Sequence, residues 1–183
     1  GGITMNIFIL DEIPRMAAKY HCDIHVNKMI LETTQMLSTC LRLNGADDEW
    51  MIERGITTKA GTPYKKTHQH HPAVKWASET RDNFDWLSDL GYWLLIEYHF
   101  RYDKTHGCEK PLMNIIRLDI NQSHLIKEGE MTDFAQCMPD EYKVKGDAVA
   151  AYRDFYINDK AGFAKWKHST PQPDRWPHEE VVA

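Results

Sequence analysis

The residues of this sequence best placed to do chemistry are a histidine and a glutamate that lie seven positions apart. His25 and Glu32 stand in a stretch with helical character, and seven residues make almost two turns, so the two side chains lie about 20° apart around the helix. The apolar positions of this stretch form one stripe: Val26, Met29, Ile30, Met36, Leu37 and Cys40. A polar pair beside a buried stripe is typical of a pocket wall, although a solvated helix edge gives the same pattern. We predict Glu32 as a catalytic carboxylate and His25 as its acid–base partner.

A second group of candidate residues is a run of histidines just before Pro72. Residues 67–72 read Thr-His-Gln-His-His-Pro, with three histidines in four positions. Neutral imidazole is a good ligand for zinc and iron, so a divalent metal is an alternative to a site without cofactors. The ligands in that alternative are His25, Glu32, His68, His71 and Glu97. The spacing matches no standard metal signature, and a histidine at a helix start can equally cap the helix or contact a phosphate.

The third group lies near the end of a long predicted helix. Glu97 and Arg101 are four residues apart on its apolar face, so burial requires that they pair with each other or with a ligand. One interpretation is an ion pair that only orients the helix, and the other is a phosphate-binding pocket that includes Lys104. The candidate substrate-binding residues are Asp23, Lys28, His71, Trp76, Asn83, Glu97, Arg101 and Lys104. We expect His25, Glu32, His71, Glu97 and Arg101 to converge on one pocket.

Helices must position these residues, because the apolar spacing is helical over most of the chain. The pattern predicts helices over residues 14–20, 23–44, 72–107, 111–126 and 147–159, with the second packed against the third. Residues 6–10 are β-prone and predict a short extended segment, and residues 45–70 predict a long loop. We expect a mainly α, single compact helical domain over residues 5–183, with residues 1–4 as a cloning remnant before a natural start at Met5.

Composition and net charge limit the classes of protein to which this chain can belong. The chain has 183 residues, of which 42 % are hydrophobic, and this suits one folded domain with a substantial core. Its net charge of −5 excludes a protein whose whole surface coats nucleic acid, although residues 59–71 and 143–167 are locally basic. No apolar run reaches the roughly 20 residues of a membrane span. Four cysteines without a CxxC pair predict reduced thiols and a cytoplasmic protein.

Two short patterns carry a family resemblance. The spacing of Asp23, His25 and Glu32 resembles the early helix of phage endonuclease V, in the pyrimidine dimer DNA glycosylase family. Residues 71–76, His-Pro-x-x-x-Trp, are similar to a helix of bacterial members of that family. The resemblance implies a compact, mostly α-helical fold, a phage or bacterial origin, and cleavage of N-glycosidic bonds in damaged DNA. Glu32 would be the catalytic carboxylate and His25 would help to bind the damaged strand.

Three function hypotheses follow from these residues. The first is an enzyme that acts on the N-glycosidic bond of a nucleotide or nucleic acid, with nucleotide or DNA as its partner and a role in DNA repair. The second is a metal-dependent helical enzyme that uses histidine and glutamate ligands. The third is a helical protein without enzymatic activity that binds a phosphorylated ligand or another protein.

Overall fold

Helices make up most of the described chain. The computed structural model describes residues 6–118, 125–160 and 164–167. These residues form α1 (Pro14–Tyr20), α2 (Asp23–Leu43), α3 (Asp48–Glu53), α4 (Pro72–Glu79), α5 (Arg81–Tyr102), α6 (Glu109–Ile116) and α7 (Ala148–Lys160). A 3-10 turn lies at Asp140–Tyr142. Within the described ranges there is no strand, so the predicted mainly α fold is confirmed.

Helices α2 and α5 pack against each other in antiparallel orientation. The start of α2 contacts the end of α5 through Asp23 and Arg101, and the middle of each helix meets at Thr33 and Gly91. A Cβ at Gly91 would lie 3.1 Å from Cγ2 of Thr33 and 3.2 Å from the methyl groups of Leu112 in α6. Glycine therefore suits this close approach. The predicted packing of the two helices is confirmed, and the apolar stripe of α2 is buried.

The helix predicted over residues 72–107 is in fact two helices. The helix is interrupted at Thr80, whose backbone is extended (φ −139°, ψ 158°). The Oγ1 of Thr80 accepts a hydrogen bond from the Asn83 N–H at 3.1 Å. A threonine cap of this kind provides an acceptor for a backbone N–H in the first turn of α5, which has no acceptor within the helix. Helix α5 then ends at Tyr102, and Asp103 follows with a left-handed φ of 51°. Apolar spacing did not reveal the break because the stripe stays buried through both helices.

The other boundaries differ less from the prediction. Helix α1 spans the predicted residues, and α7 lies within one residue of the predicted bounds. Helix α6 begins before residue 111 and ends at Ile116, and residues 119–124 lie outside the described part. The predicted loop over residues 45–70 contains α3 and one isolated bridge between Thr57 and Pro63.

Residues 6–10, the predicted N-terminal extended segment, form neither helix nor strand, and the side chains of residues 7–10 are buried. Arg153 of α7 holds it in two ways: its Nε donates to the Leu10 carbonyl at 2.7 Å, and its Nη2 lies 2.8 Å from Oδ1 of Asp11. The indole N–H of Trp86 donates to the Glu12 carbonyl at 2.8 Å. The segment is thus fixed to α5 and α7 by hydrogen bonds, without a strand partner in the described chain.

The last described residues also pack on the helical body. The Trp166 indole N–H donates to the Tyr20 carbonyl at 3.0 Å. The predicted remnant at residues 1–4 lies outside the described ranges. Among the described helices, none combines the length and apolar character needed to cross a membrane.

Candidate functional site

Arg101 is the centre of a buried network at the end of α5. Its Nε donates to Oε2 of Glu97 at 3.0 Å, so the predicted pair of residues four apart does form. Its Nη1 lies 3.2 Å from Oδ1 of Asp23 and also donates to the His21 carbonyl, while Nη2 donates to the Lys19 carbonyl at 2.8 Å. The Arg101 side chain has no exposed surface. Because protein oxygens occupy all three guanidinium nitrogens, the geometry favours an ion pair that orients the helix.

Asp23 is held as firmly as its arginine partner. Its backbone N–H donates to the Lys165 carbonyl at 2.7 Å, and its Oδ1 accepts the Lys167 N–H at 3.0 Å. The Tyr102 hydroxyl donates to the Asp23 carbonyl at 2.8 Å. Asp23 therefore joins residues 164–167 to the start of α2.

His25 lies inside the core. Its ring stacks on Phe8 with 4.6 Å between ring centroids, and its Nδ1 lies 2.7 Å from the Tyr156 hydroxyl. That hydroxyl also accepts the Cys22 N–H at 2.8 Å and donates to Cys22 Sγ at 3.1 Å. The side of α2 that was predicted to form a pocket wall is therefore covered here by the N-terminal segment and α7.

Glu32 is buried on the same side of α2, almost two turns further along. Burial raises the pKa of its carboxyl, against the opposing effects of Lys28 and of a hydrogen bond from the Asn6 backbone. A carboxyl with a raised pKa suits a general acid, although burial alone produces the same shift. The Lys28 side chain is exposed, as is that of Lys104 beyond the end of α5.

His71, Trp76 and Asn83 lie toward the other end of the helical body. His71 caps α4, because its Nδ1 accepts the Ala73 N–H at 3.0 Å. Asn83 binds the Trp76 carbonyl at 2.8 Å and both the hydroxyl and backbone N–H of Thr132 at 2.8 and 3.0 Å. Arg101 is the eighteenth residue after Asn83 in the same helix, so the two positions are about 27 Å apart along α5. The structure does not bring these residues to the Arg101 network.

The alternative metal site is not assembled. Among residues 6–118, 125–160 and 164–167, no three histidine, cysteine, aspartate or glutamate side chains lie close enough together to hold a metal ion. The proposed ligands His25, Glu32, His68, His71 and Glu97 are all within these ranges. They are spread over α2, the loop before α4 and α5, so the sequence proximity of His68 and His71 does not make a metal site.

A cleft of about 720 Å³ opens on a different face of α5, between that helix and α6. We call it the α5–α6 cleft. Its charged and imidazole side chains are Lys59, His99, His106, Glu109, Lys110 and Arg117. Its apolar wall is made by Tyr92, Leu95, Ile96 and Met113. Three permanent cations thus face one carboxylate, in a chain whose net charge is −5.

The two histidines of the cleft differ in how they are held. Nε2 of His99 lies 2.6 Å from Oε1 of Glu109, and both side chains keep solvent exposure, at 41 % and 33 %. Nε2 of His106 lies 3.0 Å from the side-chain oxygen of Asn27, and its Nδ1 accepts the Cys108 N–H at 3.0 Å. An Nδ1 that accepts an N–H carries no proton, so His106 is neutral. Burial lowers the pKa of His106, the Asn27 carbonyl and Glu109 oppose that shift, and Lys59 adds to it.

The sequence contained a usable signal for part of this cleft. Helix α5 ends and α6 begins within a few residues, so side chains from the last turn of one and the first turn of the other must be close. His99 and Glu109 are such a pair. Lys59 had no such signal, because it comes from the predicted loop some forty residues earlier and reaches the cleft only in the folded chain.

Comparisons with protein-family models, with curated proteins and with solved structures found no match to this chain. They therefore do not bear on the resemblance to the pyrimidine dimer DNA glycosylase family.

Proposed function

We propose that the protein binds a phosphorylated small molecule of the nucleotide class in the α5–α6 cleft. The observation that supports this is the concentration of three cations, Lys59, Lys110 and Arg117, around one opening of a net negative chain. Clustered positive charge attracts phosphate, and arginine binds phosphate oxygens in a bidentate manner. The proposal corresponds to the third of the sequence hypotheses, but on residues other than those predicted.

The apolar wall of the cleft supports a ligand that is more than a bare phosphate. Tyr92, Leu95, Ile96 and Met113 offer a ring and aliphatic surface beside the cations. A cleft of about 720 Å³ is in the size range of small-molecule sites, which combine apolar walls with a few charged groups. A base or a similar flat group against this wall, with its phosphate toward the cations, uses both kinds of surface.

Calorimetric titration with AMP, adenosine and inorganic phosphate tests the proposal. We expect AMP to bind more tightly than either part alone, and we expect the Lys110→Ala/Arg117→Ala double variant to bind AMP on the order of tenfold more weakly. The control is Lys75→Ala/Lys127→Ala, which removes the same charge from exposed positions outside the cleft. Absence of binding, or equal weakening in both double variants, would contradict a phosphate site in this cleft.

A second candidate function is cleavage of an N-glycosidic bond in a nucleotide or in DNA, with Glu32 as the catalytic carboxylate. The observation that favours it is the buried position of Glu32 and the raised pKa of its carboxyl, since a protonated carboxyl can assist a leaving group. Glu32→Gln should fold normally and release free base from nucleotides or damaged DNA duplexes about 10² times more slowly than the wild type. Glu130→Gln, at an exposed position, is the matched control. Wild-type rates in Glu32→Gln would exclude this role.

A cytoplasmic location remains part of the proposal. All four cysteines are free thiols, and Cys22 and Cys40 are buried. Burial raises the pKa of both thiols, so neither is poised for reaction. Unpaired thiols suit a reducing compartment.

A further inference from the structure

We propose that His99 is the general base of a hydrolytic reaction in the α5–α6 cleft and that Glu109 positions it, so that the protein cleaves the phosphate ester of the ligand it binds. This inference rests on the proposed function, because the phosphate must first be held by the cations of the cleft. It adds an activity to the binding and assigns that activity to two residues outside the predicted site.

The first support is the geometry of the pair. Nε2 of His99 and Oε1 of Glu109 are 2.6 Å apart, a short separation for a hydrogen bond between a ring nitrogen and a carboxylate. A carboxylate accepts only, so Nε2 carries a proton, and in the neutral imidazole Nδ1 then keeps its lone pair. The pair joins two helices, α5 and α6, and this fixes the ring more firmly than a loop would.

The second support is the contrast with the other histidine of the cleft. Both ring nitrogens of His106 are engaged, one by Asn27 and one by the Cys108 N–H. Nδ1 of His99 has no partner in the described part of the chain, and 41 % of the side chain is exposed. His99 therefore combines an oriented ring, a basic nitrogen and access to water, and His106 does not.

The third support is the charge around the pair. Hydrolysis of a phosphate ester places negative charge on the non-bridging oxygens, which fixed cations stabilise. Lys59, Lys110 and Arg117 line the same cleft as His99. The cleft thus holds both a base for the attacking water and cations for the phosphoryl group.

The reaction can be written as one balanced step. Nδ1 of His99 takes a proton from a water molecule while the water oxygen forms a bond to phosphorus. The bond between phosphorus and the ester oxygen breaks, and its electron pair leaves on that oxygen. The leaving oxygen, on the opposite side of phosphorus, takes a proton from solvent water, and the imidazolium of His99 releases its proton to solvent. The products are an alcohol and inorganic phosphate, and His99 returns to its neutral state.

The test measures phosphate release from AMP and from p-nitrophenyl phosphate. We expect His99→Ala to lower kcat by about 10² to 10⁴ while the affinity for AMP stays within about twofold. Added imidazole should restore part of that loss, which a purely structural role would not produce. Glu109→Gln should lower kcat and leave KM nearly unchanged, as expected of a positioning residue. His70→Ala removes an exposed histidine outside the cleft and should behave as wild type.

The outcomes separate this inference from the proposed function. If the wild type binds AMP but releases no phosphate from either compound, the inference is wrong and the binding site stands. If AMP does not bind, both are wrong. Wild-type kcat in His99→Ala also overturns the inference. Thermal melts check that the variants are folded, and His99→Gln, which keeps a polar side chain of similar length, replaces His99→Ala if the alanine variant does not fold.

Discussion

Helix α5 contributes to two charged regions that lie within a few residues of each other. They differ in burial and in how far their hydrogen-bonding groups are satisfied. In the Arg101 network the guanidinium has no exposed surface, and protein oxygens occupy each of its nitrogens. In the α5–α6 cleft, Lys110 and Arg117 are exposed, and among the described residues His99 has one hydrogen-bond partner, at Nε2. The difference indicates that the first region holds helices together, whereas the polar groups of the second are in contact with solvent, as the proposed ligand site requires.

This contrast also shows why residue type is a poor guide to function. Glu97 and Arg101 have the chemistry of a phosphate or substrate site, and so do His99 and Glu109. What separates them is whether their hydrogen-bonding groups are already satisfied by the chain. A buried charge must be paired, and its pairing removes it from ligand binding.

The largest expected effect is on the Arg101 network. Arg101→Ala leaves the carboxylates of Glu97 and Asp23 buried without their partner and frees two backbone carbonyls, so we expect the free energy of unfolding to fall by about 3–5 kcal/mol. Urea unfolding measures the change. Arg117→Ala, in the cleft, is the matched control because it removes the same side chain from an exposed position. Wild-type stability in Arg101→Ala would show that the network does not hold the helices together.

The second-largest expected effect is the loss of folding stability at acid pH. His21 is fully buried beside the Arg101 network, and burial lowers its pKa to about 4, against the opposing hydrogen bond to the Ala17 carbonyl. The unfolded chain, with an ordinary histidine pKa near 6.5, binds a proton at pH 5 that the folded chain does not. Proton uptake by His21 on unfolding therefore lowers the free energy of unfolding as the pH falls from 6.5 toward 4. At pH 5 this contribution makes the protein about 2 kcal/mol less stable than at pH 8.

The variant His21→Asn isolates this contribution. It keeps a donor for the Ala17 carbonyl but cannot take up the proton, so the loss of stability between pH 8 and pH 5 should be smaller than in the wild type. His70→Asn, at an exposed position, should leave the wild-type pH dependence unchanged. Urea unfolding at the two pH values provides the measurement. Equal pH dependence in the wild type and His21→Asn would show that protonation of other groups causes the loss of stability.

The sequence predicted those parts of the fold that follow from local spacing. The buried stripe of α2 and the pairing of Glu97 with Arg101 both depend on local helical spacing. The apolar stripes also predicted that α2 packs on α5, although they did not give the antiparallel orientation. The same spacing could not show that Thr80 interrupts the helix, because a cap is decided by one side chain and one backbone conformation.

The candidate site was harder to predict because it depends on which faces are covered. The N-terminal segment and α7 lie over the side of α2 that carries His25, as the contacts of Phe8 and Tyr156 show. No local sequence pattern indicates that these two segments pack over His25. Lys59 likewise reaches the cleft from a distant loop. Long-range contacts therefore cover His25 on the predicted pocket wall, and they form the α5–α6 cleft, which local spacing alone does not predict.

The smallest expected effect is on the stability of the cleft variants, and it is the sharpest test of the comparison. Lys110 and Arg117 are exposed and none of the described ion pairs includes them, so Lys110→Ala/Arg117→Ala should change the free energy of unfolding by no more than about 0.5 kcal/mol. The substitutions also remove the repulsion of these two charges from Lys59 in the same cleft, which opposes any loss of stability. Urea unfolding of this double variant beside Arg101→Ala gives the comparison directly. If the cleft variant lost as much stability as Arg101→Ala, its cations would belong to the scaffold, and the distinction between a saturated network and a cleft open to a ligand would fail.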